Sequence, residues 1–145
     1  MPKSTGGVHI KFLSITLALF LLGCSTNHSN RIYENTNLKE IEFLQYTKTQ
    51  QQWMEALATG ELELKNSCLS FKGDTSSIVF PASFYLDHVK GKVVIKKGNK
   101  IVGIVGQKVS TGGGWVNSID HLPITKPVKC KGNGYFIVGQ GFKLI

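Results

Sequence analysis

Long apolar runs are scarce in this chain of 145 residues. The longest, Phe12 to Gly23, falls short of the ~18 to 20 residues a helix needs to cross a bilayer core, which argues against a permanent transmembrane helix. Signature spacings are missing as well. There is no CxxC or HxxxH pair of the kind that builds zinc sites, no GxSxG or SxxK around a nucleophilic serine, and no GKS or GKT after the glycine run at 112–114. Acidic residues are few: nine against 17 Lys and Arg, and none before Cys24. What is present is globular in balance, 41% hydrophobic and 18% charged, values foreign to disordered or many-helix membrane chains. The length suits one domain with appendages.

The appendage comes first. Met1 to Lys11 is polar with two lysines, and FLSITLALFLLG (12–23) has the length of a secretory h-region. The run ends in Leu21-Leu22-Gly23-Cys24, which resembles the bacterial lipobox. That resemblance implies a signal peptide over 1–23, a diacylglyceryl group on the Cys24 thiol, cleavage before it, and a fatty acid such as palmitate on the freed amine. Each buried CH₂ contributes about 0.8 kcal/mol, so two or three acyl chains hold nearly permanently where one does not. Ser25, standing where an Asp would favour inner-membrane retention, implies the outer membrane facing the periplasm in a Gram-negative cell. The competing reading is an ordinary signal peptide cut nearby, with Cys24 incidental. Without Lys3 and Lys11 the chain keeps 15 basic residues against nine acidic, a net charge of about +6.

Residues 24–36 (CSTNHSNRIYENT) read as the lipidated Cys and a solvated tether. Over 37–59 the spacing predicts a helical segment: Asn37 with Glu40 has cap spacing, Leu38, Ile41 and Leu44, then Trp53, Met54 and Leu57, fall near helical intervals, and Gly60 supplies a stop. From 60 to 145 the period changes to two. About six short β-branched and aromatic runs, with Gly98-Asn99 as a hairpin signal, predict a mainly β domain, a small antiparallel barrel or sandwich. An oligonucleotide/oligosaccharide-binding-like barrel is one candidate.

Cys68 and Cys130 remain after Cys24. In an oxidising envelope compartment a pair in a small domain is most simply a disulfide, closing a loop of ~60 residues. Two alternatives stay open: a zinc site of Cys68, Cys130, His88 and His121, and two free thiols. The segments LELKNSCLSF, IVFPASF, IVGIVGQKVSTGGG and CKGNGYFIVG, in that order over 60–139, are similar to those of an uncharacterised group of small secreted or lipid-anchored bacterial β-domains. The resemblance implies one compact β-domain with Cys68 and Cys130 paired, and no activity.

No residue set reads as catalytic, and no cofactor is implied. TGGGW (111–115) reads as a loop or bulge, and Asp87-His88 and Asp120-His121 as solvated turn residues rather than acid–base pairs. Lysine clusters more suggestively. Lys90, Lys92, Lys96, Lys97, Lys100 and Lys108 crowd one hairpin, with Lys126, Lys129 and Lys131 near the second Cys, a candidate patch for an anionic ligand. Trp115 and Tyr135 are candidate stacking surfaces for a glycan or a nucleic acid, the nucleic acid being the less expected partner. The favoured expectation is a lipid-anchored envelope protein, non-enzymatic, binding or structural in role, with the membrane and an envelope protein or anionic surface as partners. An anionic-polymer binder is the alternative; a hydrolase using His88 or His121, and an inhibitor of lysozyme or protease, rank behind it.

Overall fold

The computed structural model describes residues 36–47, 56–124, 128–130 and 132–145. A single 3-10 turn, Leu38–Glu40, and a short strand β1 (Leu44–Tyr46) precede nine further strands: β2 (Ala56–Lys65), β3 (Cys68–Phe71), β4 (Ser77–Pro81), β5 (Phe84–Val89), β6 (Lys92–Lys97), β7 (Lys100–Ile104), β8 (Lys108–Val116), β9 (Tyr135–Val138) and β10 (Lys143–Leu144). The mainly β class is as the period-two patterning predicts. Strand β2 runs antiparallel to β3 and β8, β3 meets β4 at Ser70 and Ser77, β8 is antiparallel to β9, and β4 is parallel to β9. These pairings close a ring of five strands in the order β2-β3-β4-β9-β8. The ring is staggered, and the edges that β4 and β8 leave open beyond their ring partners are taken by other strands. Strand β1 joins outside it, parallel to β4, and β10 pairs with β8.

Between β4 and β8 the chain builds a separate antiparallel meander, β5-β6-β7. Its turns are two-residue hairpins. Gly98 takes a positive φ of 57° and Lys97 pairs with Lys100 across it, as the Gly98-Asn99 signal predicts. Lys90 (φ 50°) and Gly91 (φ 75°) make the other, an unusual conformation for a lysine.

One core fills the barrel and runs on under the meander. Leu62, Leu69, Ile78, Phe80, Val109, Phe136 and Val138 from the ring join Phe84, Val93 and Ile95 from the meander in a single buried cluster. Phe142 links the two, its ring 5.3 Å from that of Phe80 and 5.9 Å from that of Phe84, both edge-on. Each such buried side chain contributes about 1.5–3 kcal/mol. The alternate residues of β4 and β9, Val79 and Ile137, point out of the barrel into a second cluster with Leu44, Tyr46, Ile119, Leu122 and Cys130. Strands buried on both faces read as unbroken apolar runs, hence SIVF and YFIV.

The helix expected over 37–59 is not what forms in its described part. Asn37 does cap, its Oδ1 accepting the Lys39 N–H at 3.1 Å, but only the one 3-10 turn follows. Leu44 and Tyr46 are buried with Gln45 half-exposed between them, because the outer face of Val79 and Ile137 must be covered and a strand beside β4 covers it. Ala56 to Thr59 already belong to β2, and Gly60 lies inside that strand against the Phe71 ring. Trp53 and Met54 lie outside the described residues. The described residues form ten strands rather than the six expected, and β1 and β10 among them are too short to announce themselves by alternation.

TGGGW is likewise strand, not loop, all of it within β8. A Cβ on Gly113 would stand 2.2 Å from the Ile137 carbonyl oxygen and 2.7 Å from the Phe136 ring. The glycine is there so that β8 and β9 can close over Phe136.

Candidate functional site

Cys68 and Cys130 form a disulfide spanning a sequence separation of 62. It ties the start of β3 to the connection ahead of β9, the connection whose Ile119 and Leu122 cover the outer core. Glu42 lies against it. The Glu42 N–H donates to the Ser67 carbonyl at 2.8 Å, and Glu42 bridges Cys68 in parallel register. Its Oε1 accepts the Lys129 N–H, whereas its Oε2 is buried with no hydrogen-bond partner among the described residues. One ligand atom from each of Glu42, Cys68 and Cys130 lies within 4.8 Å of the others. The zinc set imagined from the sequence is therefore not the one the fold assembles: His88 sits on β5 of the meander and His121 in the turn after β8, and neither joins the cysteines. Burial first, then the nearby carboxylates of Asp120 and Glu42, pushes the Tyr135 phenol above its ordinary range.

A groove of about 540 Å³ runs along Leu38 to Gln45, bounded across by Leu86, Ile124 and Lys129, and reaches Glu42. Its walls are mixed, Leu38, Ile41, Phe43 and Leu44 among Lys39, Glu40 and Gln45.

Of the six lysines of the candidate patch, five lie on the meander, whose residues 84–104 carry a single acid, Asp87, for a net charge of +4. Lys108 opens β8 instead, opposite Glu61 of the barrel. The meander's lysines divide by strand parity. Lys92 and Lys96 alternate with Val93, Ile95 and Lys97, and Lys97 and Lys100 face one another at the hairpin end. Lys96 Nζ is 2.7 Å from Asp87 Oδ2; the hydrogen bond between them, backed on Asp87 by the His88 N–H, holds the Asp87 carboxyl below its ordinary range and the Lys96 ammonium above its own. Lys97 stands 5.4 Å above the Phe84 ring. Asp87-His88 is thus strand, with Asp87 serving Lys96.

The aromatic beside these lysines is one the sequence reading did not single out. Tyr85 pairs with Lys96, which pairs with Ile101, so a row of aromatic, cation and aliphatic crosses the sheet, exposed at Tyr85 and Ile101 and half-buried at Lys96. Strand alternation from Asp87 would have placed Tyr85 there. Its hydroxyl donates to the Gly98 carbonyl at 2.6 Å. Trp115 is half-exposed but belongs to the barrel, its ring edge-on to Phe136 at 4.6 Å and its indole N–H donating to Asp74 at 3.2 Å. Tyr135 is half-buried on β9.

Asp74 is partly buried, which opposes ionisation, but hydrogen bonds from the Ser76 N–H and the Trp115 indole outweigh this and lower its pKa. Its stabilising contribution is complete above the unfolded value near 4 and drains away as the pH falls through the lower folded value. Asp74→Asn is therefore expected to lower the melting temperature at pH 6, by an amount that shrinks as the pH falls below about 4; a constant difference across thermal melts as the pH falls would show that Asp74 acts without its charge.

Compared with known proteins, the chain matches no family model, no curated protein and no solved structure. Among the described residues no helix is long and apolar enough to cross a membrane.

Proposed function

We propose that this is a lipid-anchored cell-envelope protein whose β-domain is a non-enzymatic binding module for an anionic partner. The anchor rests on the ordered sequence of charged start, short apolar run, Gly23 and Cys24. The observation that carries the binding role is the meander, where five lysines and one Asp share a sheet with exposed Tyr85 and Ile101. The lysines lie on both faces and at the hairpin end of the meander, which gives that end of the domain a concentrated positive charge for a polyanion, and exposed Tyr85 adds a stacking face. The barrel order, first, second, third, fifth and fourth strand with a parallel third–fifth pair, supports the oligonucleotide/oligosaccharide-binding-like reading of the fold. In that class the ligand face includes the second and third strands. Here β1 lies along β4, the third barrel strand, which favours the meander as the contact surface.

Two measurements test the reading. In the mature protein from intact cells, residue 24 is expected to be the first residue and to carry lipid mass, and Cys24→Ser is expected to move the protein out of the membrane fraction. For Lys97→Glu with Lys100→Glu, affinity for a soluble polyanion is expected to fall about tenfold or more at low salt, with a salt slope shallower by up to ~2. An unlipidated Cys24, or polyanion affinity indifferent to both salt and the double reversal, would defeat the corresponding half.

A further inference from the structure

We infer that Glu42, Cys68 and Cys130 form a zinc site in the reduced chain, so that the disulfide and the metal are alternative occupants of one place. The set is drawn from three separate segments: Glu42 between the 3-10 turn and β1, Cys68 at the head of β3, and Cys130 ahead of β9. The fold brings one ligand atom from each within 4.8 Å of the others. Two thiolates and a carboxylate are a recognised donor set for Zn²⁺, tetrahedral with the fourth position left to water, and soft sulfur donors select zinc over the hard cations.

A second observation points the same way. Glu42 Oε2 is buried and accepts no hydrogen bond among the described residues, although Oε1 of the same carboxylate is held by the Lys129 N–H. A buried, unmatched acceptor is costly, more so when charged, and a native structure seldom carries one without a use. A cation held by the two sulfurs would supply the missing partner. Lys129 fixes the carboxylate from behind, as outer partners of metal ligands do. The groove along Leu38 to Gln45 is lined by Glu42 and by Lys129.

The chemistry balances with a dithiol as the reductant. Its two thiols exchange with the Cys68–Cys130 bond, leaving two protein thiols and an oxidised dithiol; Zn²⁺ then displaces the two thiol protons to solvent. Reoxidation by a disulfide reverses the exchange and releases the ion. Zinc occupancy would thus report the thiol state of this end of the domain.

The test uses the full chain carrying Cys24→Ser, so that only two thiols remain. Reduced protein is expected to bind one Zn²⁺, read by native mass spectrometry and by competition with a chromogenic chelator, and oxidised protein none. Co²⁺ in place of Zn²⁺ is expected to give thiolate charge-transfer absorption and the visible bands of a tetrahedral site. Glu42→Gln, which keeps an oxygen for the Lys129 N–H, is expected to weaken Zn²⁺ binding at least about tenfold while leaving the oxidised chain's melting temperature near the parent's. If the reduced chain loosens without metal, added Zn²⁺ should raise its melting temperature, and less so for Glu42→Gln. Absence of zinc binding by the reduced chain, binding that persists after oxidation, or equal affinity in Glu42→Gln would overturn the assignment.

Discussion

Replacing Cys68 and Cys130 together by alanine is expected to lower stability by about 4 kcal/mol, read as a lower urea midpoint with a steeper slope, because the unfolded chain without the cross-link exposes more surface. Much of that follows from the size of the closed loop, a separation of 62 residues. The bond also pins the connection that lays Ile119, Leu122 and Cys130 over Val79 and Ile137. The loss is therefore expected to be uneven. Hydrogen exchange should rise first in β1 and around Ile119 to Leu122, and last in β6, whose Val93 and Ile95 belong to the inner core. A uniform rise would mean that the two clusters unfold as one unit. A loss under about 1 kcal/mol would mean that the reduced chain is already constrained when unfolded.

The second large effect concerns one hydrogen atom. Gly113→Ala sets a methyl 2.2 Å from the Ile137 carbonyl and 2.7 Å from the Phe136 ring, and Phe136 is wholly buried with nowhere to retreat. Neighbouring rings close its remaining sides, Phe71 at 5.4 Å and Trp115 at 4.6 Å. The expected cost is about 3 kcal/mol or more, at the upper end of what overpacking produces, because backbone as well as side chain must yield. Gly112→Ala is the control: its Cβ would meet only the Gln140 carbonyl, at 3.1 Å, so a smaller loss is expected. Combining Gly113→Ala with Phe136→Leu is expected to recover part of the loss and not all, since the Ile137 carbonyl remains. Equal destabilisation by the two glycine substitutions in thermal melts would show that strand flexibility, and not the fit over Phe136, sets their role.

Both predictions turn on features the sequence displayed but did not explain. The glycines of TGGGW read as a loop because glycine is poor in strands by propensity. Their reason lies across the sheet, in Phe136 and Ile137, some two dozen residues further on. The segment 37–47 misled in the opposite sense: Leu38, Ile41 and Leu44 do have helical spacing, and Asn37 does cap, yet the requirement to cover Val79 and Ile137 prevails over local preference. The candidate patch was more legible. Five of its six lysines share the meander because Gly98-Asn99 and the alternating strands beside it are local signals. The sixth, Lys108, is adjacent in the chain but across a boundary between sheets, which chain proximity does not reveal.

The sequence by itself determined the mainly β class, the β6–β7 hairpin, the alternation that lines the barrel, and the concentration of lysine between residues 90 and 100. These are near-neighbour properties, set by side-chain period and by which residues tolerate a positive φ. Only the tertiary structure decided that five strands close on themselves, that β4 and β9 are buried on both faces, and that Glu42 comes to rest against the two cysteines with one oxygen unmatched. Each of these joins segments tens of residues apart, where the outcome depends on which faces remain to be buried once the local elements have formed, and no short stretch of chain contains that information.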